Sequence, residues 1–277
     1  MKEIKQSLIV SFYNGVAQLQ MIIKALERQS DLAFEVLIAD DGSNANSVSQ
    51  VQEIIKSSPL QIKHLWHEDD GFRKVIILNK AVVESATDYL VFIDGDCVPH
   101  KEFMKAHYQS REEGYFLAGR RINLSEKLNK KFSAERIESG YLEKSFKKDL
   151  LLDGLFGKTT HFEKGFYVGN KRLQRFLNRK KTGLLGCNFS VFKKDLLAIN
   201  GFDERYLAPA IGEDSDIEFR LLLNGVKSKT VKNIAIVYHL YHKKLERESS
   251  NRSIYDEVIE KQQIITPFGI KKLTTDL

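Results

Sequence analysis

Along the first 120 residues, short apolar runs alternate with stretches of helical periodicity. SLIVSFY (7–13), FEVLIAD (34–40), QIKHLWH (61–67) and YLVFID (89–94) read as strands, each rich in Val, Ile, Leu or aromatics and bounded by polar residues or glycine. The first, second and fourth are almost wholly apolar, the pattern of strands covered on both faces. Residues 16–29, 46–57 and 73–86 predict the intervening helices. This alternation predicts an α/β fold, a mostly parallel, Rossmann-like sheet flanked by helices. Ligands of such sheets sit beyond the carboxyl ends of the strands. Those ends carry Tyr13-Asn14, Asp40-Asp41 and the pair Asp94 and Asp96.

After residue 120 the alternation breaks. Residues 120–183 are amphipathic in places (ERIESGYLEKSFKKDLL) and loop-like in others. GLLGCNFSVF (183–192) resumes the apolar body, and helices are expected at 193–199 and 212–225, the second with an acidic first turn and a closing glycine. NIAIVYHLYH (233–242) predicts a late strand. The chain therefore divides into a first half (1–119), an insert (120–183), a second half (184–245) and a charged, peripheral tail (246–277).

Charge sharpens this division. The net charge is +6, but residues 120–183 hold 17 Lys and Arg against 7 Asp and Glu, so the rest of the chain is acidic. A basic insert on an acidic body points to a phosphorylated ligand, a polyanion or an anionic membrane surface. Two cysteines cannot make a disulfide framework and suggest a reducing compartment. The N-terminal apolar run is too short for a secretory signal. No segment reaches the ~18 apolar residues of a membrane span. A cytoplasmic protein is expected, with peripheral contact at the inner membrane face through the insert.

The strand ends carry the candidate chemistry. Asp94-Gly95-Asp96 offers hard oxygen ligands suited to Mg²⁺ or Mn²⁺ beside a phosphate. Asp40-Asp41-Gly42-Ser43 contains a turn and a helix cap at Ser43 or Asn44, yet a cap needs only one of the two acids. In HEDDGFRK, Arg73 and Lys74 stand in a helix's first turn, where cations oppose the dipole, so an anionic ligand is expected there. GEDSDIEF places Glu213, Asp214, Asp216 and Glu218 within six residues, more acids than a helix start requires. One of them poised to take a proton would justify the surplus. His239 and His242 are candidate metal ligands, and imidazole moves the preference from Mg²⁺ toward Mn²⁺.

SFYN, LIADDGS, DDGFRKVIILNKAV, DYLVFIDGD and GEDSDIEFRLLLNG stand in an order that resembles family 2 glycosyltransferases of the GT-A fold. The GCNFS…GFDERY…GEDSDIEFR block is similar to the C-terminal half of galactosyl- and chondroitin-type transferases. The resemblance implies an inverting, metal-dependent transfer of a hexose or N-acetylhexosamine from a UDP-sugar to a glycan or lipid-linked saccharide, as in surface polysaccharide synthesis. It implies that Tyr13, Asp41, Asp70 and Arg73 hold the nucleotide, that Asp94 and Asn188 contact the donor, and that Asp96 holds the metal of the DXD motif with His239 or His242. It gives Asp214 the role of catalytic base and Glu213 that of placing the acceptor or sugar.

Other readings lack their motifs. DGLFGKTT (153–160) falls short of a phosphate loop because Leu152 stands where a glycine is required, and no G-x-G-x-x-G follows the first strand. A sugar-nucleotide nucleotidyltransferase would need an early glycine-rich loop, and SFYNGVAQ has one glycine. A basic nucleic-acid-binding protein would fit the pI near 9.0, but acids at 68–70, 94–96 and 213–218 would repel phosphates. No nucleic-acid partner is expected.

Overall fold

The computed structural model describes residues 3–209, 212–243 and 251–272. The apolar runs form β1 (Gln6–Phe12), β2 (Phe34–Asp40), β3 (Ile62–Trp66) and β4 (Tyr89–Asp94), joined by helices α1 (Val16–Glu27), α2 (Ala45–Ser57) and α3 (Lys74–Glu84). Asn44, rather than Ser43, caps α2 by accepting from the Ser47 N–H. β5 (Cys97–Pro99), α4 (Phe103–Ser110), β6 (Tyr115–Ala118) and β7 (Arg120–Asn123) follow. The insert then holds α5 (Glu126–Asn129), α6 (Ala134–Glu138), α7 (Tyr141–Lys144), α8 (Phe146–Phe156), a 3-10 turn (Phe162–Gly165) and α9 (Lys171–Leu177). The second half supplies β8 (Phe189–Phe192), α10 (Lys193–Ala198), α11 (Glu213–Leu223), β9 (Lys227–Thr230), β10 (Ile236–His239) and α12 (Arg252–Glu260).

Seven strands make one sheet in the order β3-β2-β1-β4-β8-β6-β9. β3, β2, β1 and β4 run parallel, while β8 is antiparallel to both neighbours and β9 is parallel to β6. Alternate residues face opposite sides. Leu8, Val10, Val36, Ile38, Val91 and Ile93 join the core under α1 and α2, and Ile9, Leu37, Ala39, Leu90 and Phe92 join the core under α3 and α11. Register pairs Phe12 with Asp40, Asp40 with Trp66 and Ser11 with Asp94, so the polar strand ends meet along one edge.

A small second sheet has the order β5-β10-β7. β10 falls within the late strand predicted at 233–242, whereas β5 and β7, of three and four residues, are too short for periodicity to declare them. The sheet seats His239 opposite Cys97, next to Asp96.

The insert is not a detached appendage. Ile122, Leu128, Phe132, Ile137, Phe146 and Leu150 are buried in the same core as β1 and β4. Lys24–Glu138 (2.8 Å) and Arg28–Glu143 (3.1 Å) tie it to α1. The tail expectation also needs correction. Residues 246–250 and 273–277 lie outside the described residues, but Val258 and Thr266 are fully buried and Thr266 Oγ1 donates to Asp203 (2.7 Å). Among the described residues no helix is long and apolar enough to cross a membrane.

α11 is anchored by a buried ion pair. Arg220, wholly buried, donates to Asp216 (Nε 2.8 Å) and to the carbonyls of Ile199 and Gly201 (2.8 and 2.9 Å). Asp216 is therefore one of the surplus acids of GEDSDIEF, and its partner lies one turn on. Arg220→Met would strand the Asp216 carboxylate in the core. It should cost about 3–5 kcal/mol, read as a lower midpoint in urea unfolding.

Candidate active site

Two adjacent acids end β2 and do different work. Asp40, fully buried, accepts from the Ser43 N–H (2.8 Å) and pairs with His64 Nε2 (2.8 Å), so it is a structural cap. Asp41, also buried, is held by His67 Nε2 (2.8 Å) and the Arg73 N–H (3.0 Å). Burial raises its carboxyl above the usual range, against the pull of His67 and Arg73. Gly42, at φ +90°, allows this turn to press on the 67–71 loop: a Cβ there would stand 2.6 Å from Asp69 Cα. Tyr13 donates to Asp69 (3.1 Å), and Arg73 pairs with Asp70 (3.0 Å) and donates to the Glu68 carbonyl (2.8 Å). Tyr13, Asp41, Asp70 and Arg73 thus belong to one linked rim.

At the end of β4, Gly95 passes so close to β1 that a Cβ would lie 2.5 Å from the Ser11 carbonyl. The two aspartates then separate in role. Asp94 Oδ1 accepts from Ser11 Oγ (3.0 Å) and Lys74 Nζ (2.9 Å). Asp96 faces His239 Nε2 (3.2 Å) and His242 Nε2 (3.4 Å). The donor atoms of Asp96, His239 and His242 all lie within 4.8 Å of one another. The structure brings both histidines to the same carboxylate. One carboxylate with two imidazoles fits a first-row divalent cation such as Mn²⁺ better than Mg²⁺.

The third group comes from α11. Gly212, at φ +119°, lets the helix start against the Tyr206 ring and points its acidic first turn inward. Asp214 Oδ2 accepts from the Gly186 N–H (2.7 Å), and any side chain at 186 would strike Asp214 Oδ1. Burial, the neighbouring Glu213 and Asp94 raise the Asp214 carboxyl to about 7, despite Lys74 and the Gly186 N–H. Ser11, Lys74, Asp94, Gly186, Glu213 and Asp214 line one cleft.

Lys74 joins the two sides of that cleft. It reaches Asp94 at 2.9 Å and Glu213 at 3.9 Å. Burial works against its charge, but Asp94, Glu213 and Asp214 more than compensate and keep it protonated. Within the protein, the cation in the first turn of α3 already has two carboxylate partners. Asn188 departs from its expected role. It is wholly buried, accepts from or faces His107 Nε2 (3.1 Å), and donates to the carbonyls of Arg120 and Ala235 (3.0 and 2.9 Å). Its amide is used in joining β8 to the strands around it, so it does not reach the cleft. Arg121 was missed, because it sits in what reads as the basic insert. It is half-buried on β7, near enough to Asp94 and Asp96 to feel their charge, and makes no ion pair or side-chain hydrogen bond among the described residues.

Residues 7–197 match glycosyl transferase family 2. The chain belongs to that family. It is a glycosyltransferase of α/β, GT-A architecture, and residues 174–243 also match the N-terminal domain of galactosyltransferase. The transferase is 23% identical to chondroitin synthase of Escherichia coli over 96% of its own length but only 39% of that relative's. It is 25% identical to a GalNAc(5)-diNAcBac-PP-undecaprenol beta-1,3-glucosyltransferase of Campylobacter jejuni, over 61% of this chain and 54% of that one. Among solved structures, a mannosyltransferase from Pyrobaculum calidifontis in complex with GDP-Man and Mn²⁺ superposes with a TM-score of 0.58 at 14% identity, covering 88% of this chain and 59% of that one. TarS (1–349) of S. aureus in complex with UDP gives 0.55 at 16% identity, covering 85% and 60%. At these identities the structural likeness supports the shared fold alone.

Proposed function

We propose that this transferase moves a hexose or N-acetylhexosamine from a UDP-sugar, with inversion, to a glycan or lipid-linked saccharide acceptor. The observation that carries this reading is the shared rim. Asp214, a carboxyl near neutrality, lines the same cleft as Asp94, and Asp96 with its two histidines stands two residues beyond. Tyr13, Asp41, Asp70 and Arg73 bind the uridine end, and Asp94 orients the ribose or sugar. Asp214 takes the proton of the acceptor hydroxyl as it attacks, and Glu213 positions that acceptor. Asp96, His239 and His242 would hold a divalent cation, which when bound supplies fixed positive charge for a departing nucleoside diphosphate. Arg121 adds a second, unpaired positive charge beside them. Support comes from relatives whose names specify chondroitin synthesis and an undecaprenyl-diphosphate-linked acceptor, and from neighbours bound to GDP-Man or UDP.

A panel of sugar nucleotides with Mn²⁺ tests the reading. The matching donor should raise the melting temperature, since a ligand at a hundredfold excess over its Kd stabilises by about 2.7 kcal/mol. Slow hydrolysis or transfer should release free UDP. Release of pyrophosphate would instead identify a nucleotidyltransferase.

Lys74 offers a test of the base. It opposes the ionisation penalty at Asp214, so Lys74→Met should push that carboxyl still higher. The rising limb of kcat/KM against pH should move to the alkaline side in the variant. An unmoved limb would detach the activity from Asp214.

A further inference from the structure

The three most exposed large apolar side chains among the described residues are Phe156 (85%), Phe176 (61%) and Leu155 (59%), and all three belong to the insert. Leu152 and Leu173 are exposed beside them in the chain. Single exposed apolar residues are ordinary, but this grouping is not a packing remainder. α9 has no buried residue at all, though two of its seven positions are Leu173 and Phe176. α8 buries Phe146 and Leu150 and turns its C-terminal Leu155 and Phe156 outward. The 3-10 turn between them packs on α8, with Phe162 against Gly154. Asn233 donates to the Glu163 and Phe166 carbonyls, and Asn178, just after α9, clasps Lys232 in both directions. The two helices are therefore tied to one flank of the small sheet.

Arg179 lies over the Phe176 ring, 5.2 Å from its centroid. Three cations of the insert meet carboxylates, in Lys131–Asp149, Lys130–Glu126 and Lys164–Glu163. Lys158, Lys171, Arg172, Arg175, Lys180 and Lys181 form no ion pair among the described residues. Leucine and phenylalanine tips among lysine and arginine heads are the composition of a segment lying in a bilayer interface: apolar tips enter the acyl boundary, and the long basic stems reach back to anionic headgroups.

We infer that the α8–α9 face is an interfacial docking surface for an anionic lipid bilayer. The segment after α9 runs past Glu218 at Gly183 and reaches Gly186, whose N–H holds Asp214. A bilayer seated on this face would lie on the flank from which the chain enters the catalytic cleft. The surface stands on exposure and charge. Its role, delivering a lipid-linked acceptor to Asp214, rests on the transferase reading above.

Vesicle co-sedimentation of the full chain tests it, without donor or metal. Vesicles of phosphatidylcholine mixed equally with phosphatidylglycerol should recover the protein at low salt, and recovery should fall as salt rises. Pure phosphatidylcholine should recover little. The double substitution F156S/F176S should weaken partitioning by about tenfold while the thermal shift given by the UDP-sugar and transfer to a water-soluble acceptor stay unchanged. Recovery that is equal on neutral and anionic vesicles, or indifferent to F156S/F176S, would overturn the assignment. So would a change from dimer to monomer on F156S/F176S in light scattering, because the face would then belong to a second copy. Vesicle binding without any sugar-nucleotide effect would retain the surface and reject the transferase reading instead.

Discussion

Replacing Asp214 by Asn should reduce sugar transfer by about 10²–10⁴-fold, the range supplied by a positioned general base, and leave donor binding intact. The expectation follows from where the carboxylate sits. Its Oδ2 is fixed by the Gly186 N–H, and Gly186 has no side chain because Asp214 fills that space. Asparagine can keep this hydrogen bond through its own carbonyl oxygen, so the geometry survives and only the proton acceptor is lost. Stability provides the control. Burial raises the Asp214 carboxyl from about 3.8 to about 7, so the folded state holds its proton more tightly than the unfolded chain does. That preference stabilises the fold at low pH and fades as pH rises through 7. The variant has no such ionisation penalty, so above pH 7 it should melt no lower than the wild type. In the wild type, kcat/KM should fall about tenfold per unit below pH 7, because that quantity reports the free enzyme. The groups facing Asp214 that set this midpoint are Glu213 and Asp94, which raise it, and Lys74 and the Gly186 N–H, which lower it. Wild-type transfer by Asp214→Asn at pH 8, with UDP still released, would remove Asp214 from the chemistry.

Much of this site was legible before any coordinates, and the reason is physical. The parallel strands are buried on both faces, so their apolar runs are unbroken, and each ends where polar residues begin. Asp41, Asp94 and Asp96 announce themselves at those ends, and Asp214 does so in an overcharged first turn. What stayed hidden depends on pairings between distant short segments. β5 and β7 are too short to show a period, yet their register with the predicted strand β10 brings His239 to Asp96 and leaves Arg121 beside them. Asn188 misled for the opposite reason. A polar residue in GCNFS, a block that resembles a transferase motif, reads as a ligand contact, but here its amide satisfies two carbonyls inside the protein. A cation in a helix's first turn, such as Lys74, suggests an anion from outside, and the fold also supplies Asp94 and Glu213 from within. The insert's amphipathic and basic character was legible, but amphipathic spacing does not tell which apolar residues a short helix will bury.

Asp96→Ala should abolish the joint stabilisation given by Mn²⁺ and the UDP-sugar, a loss of about 2.7 kcal/mol at a hundredfold excess of ligand, together with nearly all transfer. The reasoning rests on the unequal fates of the two aspartates. Asp94 is already engaged by Lys74 and Ser11, so its charge is largely answered within the protein. Asp96 is met by the Cys97 thiol (3.4 Å) and by two imidazoles, whose second function is to bind metal. Removing the one carboxylate leaves two neutral nitrogen donors, too few to hold a divalent cation against water. The nucleotide rim at Tyr13, Asp41, Asp70 and Arg73 is untouched, so weak, metal-independent binding of UDP should persist. His239→Ala and His242→Ala separate the histidines. His239 is 12% exposed on β10, opposite Cys97, whereas His242 is 48% exposed beyond the strand. The rigidly seated ligand should matter more, so His239→Ala should weaken the Mn²⁺ response further than His242→Ala. Substituting Mg²⁺ for Mn²⁺ in the wild type should cost affinity through these same two imidazoles, and Asp96→Ala should erase the difference between the metals. An Asp96→Ala protein that still melts higher with Mn²⁺ and donor than with donor alone would place the cation elsewhere in the cleft.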